Sequence, residues 1–356
     1  MKKSMFLLGI AAAALASCTN EEVVEVAQNR VIGFSTFVNN STRALTEITE
    51  SNGSFTDFYV FGSYGSNSSW TSVFNNTQVE GGTVDGTSIW TPTLTAYWEP
   101  NQIYVFGAYS NGNANTTAAF DAATKALTFS SYDVVSNQKD LIAALGNYET
   151  DTDVSNEDPV NLEFDHMLSQ VKFTFTNTDS YEYTMKISNI QIASAITTAT
   201  GTYNSTGASW NGGTANGTYN FAELADIAKD PQSEGYAAAT ETDLFVIPQD
   251  NQTLKVTFTA TLYDAAHTLD APNAVGTFEG SLNYTKVDME GTENGKWTPG
   301  FRYNYTAEIN GSMLHDPDDP DNPDKDPQPI EFTVSAVDTW LDADVTTLPT
   351  QDVTND

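Results

Sequence analysis

Leu254-Lys255-Val256-Thr257-Phe258-Thr259-Ala260-Thr261-Leu262 alternates between apolar and polar residues without a fault. That period of two belongs to a strand with one face on a core, so Leu254, Val256, Phe258 and Leu262 point inward and Lys255 with the three threonines points outward. Val171, Phe173 and Phe175 repeat the pattern against Lys172, Thr174 and Thr176. Further strands are expected over 58–64, 103–109, 183–192, 278–284 and 302–309, with Gly, Asn, Ser and Asp crowding the connections. Many short strands with such turns suggest β-sandwiches. Helical spacing is scarce: residues 221–229 place Phe221, Leu224 and Ile227 on one helical face, and 139–145 offers a second short helix. The chain length of 356 residues favours two domains, and the most polar break near the middle is 151–159.

The same alternation occurs near both ends of the chain. Ile32, Phe34, Thr36 and Val38 share one face of a strand, Asn39, Asn40 and Ser41 make a polar turn, and Arg43 follows as a trypsin-like cleavage point. Ile330, Phe332, Val334 and Ala336 share one face at the other end, so two segments could fill one groove at different times. Cutting at Arg43 would remove the first strand and uncover about 2 kcal/mol of burial per large side chain, whereas cutting at Arg30 would leave the strand in place. Arg43 is therefore the expected processing point. Between the C-terminal domain and the second strand lies 316–329, a run of aspartates and prolines that favours extended polyproline II and reaches about 3.1 Å per residue.

The start of the chain has a different character. Lys2 and Lys3 precede a short apolar run, and Leu15-Ala16-Ser17-Cys18 resembles a lipobox, in which the thiol of Cys18 becomes the lipid attachment point. An ordinary secretory signal with a stray cysteine is the other reading. Cys18 is the only cysteine, so the exported part must be held by burial and hydrogen bonding. The formal charge of −33 repels nucleic acid and anionic headgroups, while 39% hydrophobic and 12% aromatic residues supply a core. Arginine occurs only at 30, 43 and 302, so an arginine-specific protease finds two targets in the N-terminal segment.

Four longer runs carry a family resemblance: 160–175 (V-N-L-E-F-D-H-M-L-S-Q-V-K-F-T-F), 244–249 (L-F-V-I-P-Q), 297–305 (W-T-P-G-F-R-Y-N-Y) and 330–340 (I-E-F-T-V-S-A-V-D-T-W). With the lipobox in front and Ser41-Thr42-Arg43-Ala44 after the first strand, the chain resembles the fimbrillin-like family, the lipoprotein pilins of type V pili. The resemblance implies an all-β chain of two β-sandwich domains of transthyretin-like, Greek-key type with few short helices. It further implies export as a lipoprotein, removal of the first strand by an arginine-specific protease, and polymerisation by donor-strand exchange. The expected organisation is then 1–18 signal peptide, 19–43 tether and removed strand, 44–159 N-terminal domain, 160–315 C-terminal domain, 316–329 linker and 330–356 donor segment. Expected partners are other pilin subunits, the maturation protease and a host or bacterial surface receptor. The membrane would be met only through the lipid on Cys18 before cleavage.

Other chemistry is weakly represented. No phosphate loop, zinc spacing or Ser/His/Asp order is present, and neither a cofactor nor catalysis is expected. His166 beside Asp165 reads as a structural histidine, since no nucleophile or oxyanion loop is recognisable near it. Aspartates at 151, 153 and 158 and in 316–329 invite calcium, but neither cluster fits a calcium loop. Trp70, Trp90 and Trp98 could stack sugars or fill the core. A surface lipoprotein or pilus-tip adhesin that binds glycan or a host ligand without polymerising is the alternative function.

Overall fold

A computed structural model of the protein describes residues 31–38, 55–66, 69–84, 87–112, 117–155, 157–178, 183–228, 236–239, 244–250, 253–263, 274–282, 286–287, 293–316, 328–330 and 332–339. The N-terminal strands are β1 (Phe34–Val38), β2 (Asp57–Ser66), β3 (Ser69–Val84), β4 (Thr87–Pro92), β5 (Ile103–Ser110), β6 (Ala118–Asp121), β7 (Ala126–Asp133), β8 (Ile142–Glu149) and β9 (Val160–His166). They are followed by β10 (Ser169–Asn177), β11 (Thr184–Ile196), β12 (Thr198–Asn204), β13 (Gly207–Asn211), β14 (Ala215–Asn220), β15 (Leu224–Ala228), β16 (Tyr236–Ala239) and β17 (Leu244–Val246). The remaining described strands are β18 (Lys255–Tyr263), β19 (Ala274–Ser281), β20 (Lys286–Val287), β21 (Glu293–Asn294), β22 (Phe301–Ile309), β23 (Gln328–Ile330) and β24 (Thr333–Thr339).

Seven N-terminal strands close into a barrel in the order β1-β4-β3-β2-β5-β8-β9, so this unit has no sheet edge where a two-sheet sandwich would leave four. Its interior is an aromatic core that includes Phe34, Phe58, Phe74, Trp98, Tyr104 and Phe106. The C-terminal unit is a sandwich. One sheet runs β16-β10-β22-β24 with β17 also on β10, and the other runs β14-β11-β18-β19-β23 with β15 also on β11. Val171, Phe173 and Phe175 from the first sheet meet Val256, Phe258 and Leu262 from the second, all within one core cluster, as their alternation predicted. Thr261 departs from that pattern, being buried with its apolar neighbours.

Both expected helices are strands. Residues 139–145 run into β8, and Leu141 just before it and Ile142, Ala143 and Ala144 within it are all buried. Ala143 packs in the larger cluster and Ile142 with Ala144 in the barrel interior, so the run is apolar because both faces of the strand are covered. In 221–229, β15 pairs antiparallel to β11 with Met185 opposite Ile227 and Ile187 opposite Leu224. Between these pairs two residues of β15, Ala225 and Asp226, face one of β11, Lys186, and this bulge brings Leu224 and Ile227 to the same face at a spacing that imitates a helix. The described residues contain no α-helix, only a 3-10 turn at Gly311–Met313.

The two units share a sheet that the sequence did not announce. The β6-β7 hairpin leaves the barrel between β5 and β8, and β7 pairs with β12 from the C-terminal half in a four-stranded sheet ordered β13-β12-β7-β6. Phe129 and Leu127 of β7 and Tyr203 of β12 join the sandwich core. β9, beyond the polar break at 151–159, pairs with β8 and β1 in the barrel before the chain crosses into β10.

Candidate functional site

The first strand of the sequence closes the barrel. β1 pairs in parallel with β9 through five registered pairs from Phe34 opposite Val160 to Val38 opposite Phe164, and meets β4 through Phe34 opposite Trp90. Just before it, the Ile32 amide donates to the Ala96 carbonyl at 2.9 Å, and the Val160 amide donates to the Gly33 carbonyl at 2.9 Å. Ile32 is fully buried and Phe34 is 4% exposed. The Phe34 ring lies 5.8 Å from those of Phe58 and Phe74 and 5.7 Å from that of Phe106, at right angles to Phe58 and Phe106. Such edge-to-face contacts add to simple burial. Lifting β1 out would therefore leave a slot with a hydrogen-bonding strand on each side and a floor of phenylalanines. Val38 is placed by its backbone pairing alone, and its side chain lies outside the described residues, as do Cys18, Arg30 and Arg43.

The expected donor segment sits elsewhere, on its own C-terminal unit. β23 runs parallel to β19, Gln328 opposite Phe278 and Ile330 opposite Gly280, whereas β24 runs antiparallel to β22 from Thr333 opposite Thr306 to Thr339 opposite Phe301. The segment is thus two short strands on the edges of the two facing sheets, not one continuous strand. Half-buried Phe332 lies at the crossing, its ring 5.5 Å from Phe173, 6.2 Å from Phe175 and 6.0 Å from Phe258. Gly280 makes room for it: a methyl group there would come within 2.5 Å of the Phe332 ring. Ile330 is half-buried on the same core. Val334 pairs with Tyr305 and Ala336 with Asn304 by backbone register, and the side chains of both lie outside the described residues.

His166 is paired, but with Asp140 rather than its sequence neighbour. Its Nδ1 lies 2.8 Å from the Asp140 carboxylate, and both side chains are almost fully buried at the crossing between barrel and sandwich. Asp165 points the opposite way along β9, as alternation requires, and accepts a short hydrogen bond from the Tyr203 hydroxyl of the shared sheet. Burial first, and the Asp165 bond next, push the Tyr203 hydroxyl far above its ordinary pKa and keep it a donor. The two contacts lie on opposite faces of β9: the pair with Asp140 joins the ends of β8 and β9 within the barrel, and the bond from Tyr203 of β12 ties the barrel to the C-terminal half. Trp98 is fully buried and Trp90 packs beside the barrel core, so these two belong to the interior rather than to a stacking platform. Among the described residues no group of three or more His, Cys, Asp or Glu could hold a metal, and Asp153 accepts from the Ser155 amide at 3.0 Å.

No sequence among the curated proteins matches this chain. Solved structures do share its fold. A fimbrial protein from Bacteroides vulgatus superposes with a TM-score of 0.55 at 15% identity, over 87% of this chain and 99% of that one. A protein from Parabacteroides distasonis proposed to act in cell adhesion superposes with a TM-score of 0.50 at 11% identity, over 88% of this chain and 97% of that one. The model of the fimbrillin-like family matches residues 42–322, so the chain belongs to the fimbrillin-like family.

Proposed function

We propose that the protein is a structural pilin subunit of a cell-surface fimbria that supports adhesion, exported as a lipoprotein on Cys18, trimmed at Arg43 and joined to further copies by strand exchange. One observation carries the reading: the barrel is closed by a terminal strand that lies between two other strands and brings Ile32 and Phe34 into the core. Burying these two side chains stabilises the uncut chain by about 2 kcal/mol each, and each ladder bond adds about 1 kcal/mol. After trimming the slot needs a replacement strand, which Ile330 and Phe332 of another copy can supply once that segment leaves its own sheet edges. Edge strands paired on one side only are suited to leaving.

The test is limited digestion of the purified precursor with an arginine-specific protease. The expected products are chains beginning Ala44-Leu45-Thr46 that form ladders stable in detergent. A mature start at Val31, or trimmed chains that stay monomeric, would overturn the reading. Cys18→Ala should abolish lipidation and release the protein from the membrane fraction, and unchanged partitioning would remove the lipoprotein step.

A further inference from the structure

Between the outer wall of the barrel and the tip of the β12-β13 hairpin lies a cleft of about 410 Å³. β9 forms one wall and presents Glu163 and Asp165, which strand alternation turns away from the interior that buries Leu162 and Phe164. Asn204, Ser205 and Gly207 of the hairpin form the other wall. Half-buried Leu145 of β8 and nearly buried Tyr203 supply the apolar part. A cleft at the seam of two units, partly apolar and carrying a few convergent polar groups, is the usual setting for a small ligand. Both walls are fixed. β9 belongs to the closed barrel, and the hairpin is held by its ladder, with Asn204 opposite Gly207 and Tyr203 opposite Ala208. The Thr206 amide and hydroxyl also donate to Asn204 Oδ1, at 2.9 and 2.6 Å. Gly207 takes a φ of +92°, and a methyl group on it would meet nothing within 4 Å, so the space beside the turn stays open.

The polar groups left unused in the cleft are of both kinds. Glu163 accepts one long bond of 3.4 Å, from the Asn161 amide to Oε1, and Asp165 receives the Tyr203 hydroxyl on Oδ2, so Glu163 Oε2 and Asp165 Oδ1 remain as acceptors. Across from them Asn204 is engaged only through Oδ1, which leaves its NH2 group and the Ser205 hydroxyl as donors. Among the described residues no cation pairs with either carboxylate; Lys125, at the adjoining β6-β7 turn, donates instead to Asn147 of β8 at 2.8 Å.

We propose that this cleft binds the end of a neutral glycan. A sugar hydroxyl both gives and takes a hydrogen bond, so a pyranose meets acceptors on the β9 wall and donors on the hairpin wall, with its C–H groups against Leu145. The alternatives fit less well. An organic cation needs acceptors throughout and finds donors on the hairpin, and a metal ion finds no third acid, His or Cys among the described residues. A sugar with its own carboxylate or sulfate is repelled by Glu163, by Asp165 and by the formal charge of −33. The site does not depend on trimming, since every residue of it lies beyond Arg43 and the two carboxylates stand on the outer face of β9. A filament of such chains would repeat the cleft once per subunit, and weak single contacts would add up to firm attachment.

The test exposes the full chain, carrying Cys18→Ser to keep it free of lipid, to a printed array of neutral, sialylated and sulfated oligosaccharides. The best neutral binder is then titrated calorimetrically against three variants. Binding to neutral sugars alone is expected, by trimmed and untrimmed chains alike, so a failure of polymerisation leaves the result untouched. Glu163→Gln removes the charged acceptor, and Asn204→Asp removes the donor while keeping the oxygen that holds the turn. Each should weaken binding at least about tenfold. Ser205→Trp, which fills the cleft from an exposed turn position, should abolish it. All three variants should melt as the unaltered chain does, which separates a lost site from a lost fold. The proposal is overturned by an array without neutral binders or by binding that survives Ser205→Trp. Salt-sensitive binding of spermidine that Glu163→Gln removes, with no neutral sugar bound, overturns it in favour of a cation site.

Discussion

The barrel and the sandwich are each completed by a terminal segment, and they are completed differently. β1 lies between β4 and β9, so it is paired on both sides and its loss opens a closed structure. Among the described residues β23 and β24 lie at the outer edges of two facing sheets, each paired on one side only, and their loss leaves both sheets otherwise intact. Each segment sends one phenylalanine inward, Phe34 nearly buried and Phe332 half-buried. A two-sided slot holds its strand more firmly than an edge does, because two ladders and a fuller burial must be lost together. The same asymmetry would give strand exchange its direction: a loosely held segment leaves an edge and enters a tighter slot.

The comparison is broken most directly at the two phenylalanines. Phe34→Ala should cost the uncut precursor about 4 kcal/mol in denaturant unfolding, and half-buried Phe332→Ala about 2 kcal/mol. After trimming at Arg43 the Phe34 variant should be indistinguishable from the unaltered protein, since the residue is gone, while the Phe332 loss should persist. Equal costs in the precursor would dissolve the distinction between slot and edge.

Gly280→Val sharpens the same contrast from the receiving side. Its side chain would collide with the Phe332 ring and the Ile330 carbonyl, so the sandwich should lose about 2 kcal/mol and the C-terminal segment should come away from its edge. Trypsin cleavage after Lys325 should then quicken while the barrel stays resistant, which a fragment map over time will show. A rate unchanged from the parent protein would mean that Phe332 does not hold the segment.

The smallest effect is expected at the shared sheet. Tyr203→Phe removes one bond to a carboxylate that water can reach, so the loss should be about 1 kcal/mol, read as a lower melting temperature with barrel and sandwich still unfolding together. Two separate transitions in the calorimeter would show that this one bond couples the units more than the β7-β12 ladder does.

Much of the fold was legible in the sequence because strand alternation is local. Leu254, Val256 and Phe258, Val171, Phe173 and Phe175, and Ile32 and Phe34 were all placed inward by their spacing alone, and all are buried. The closing strand at the N-terminus could be read for the same reason. Which strands flank it could not, since β4 and β9 lie far along the chain and pairing leaves no local mark. The helical reading of 221–229 failed because a bulge shifted the register by one residue, and that of 139–145 because apolar residues on both faces of a strand erase alternation. The sequence by itself thus determined the all-β class, the inward faces and the two terminal segments that share a pattern. Only the tertiary structure decided that one of these closes a barrel, that the other straddles two sheet edges around Phe332, and that β7 and β12 bind the halves into one body, because each depends on partners brought together from distant parts of the chain.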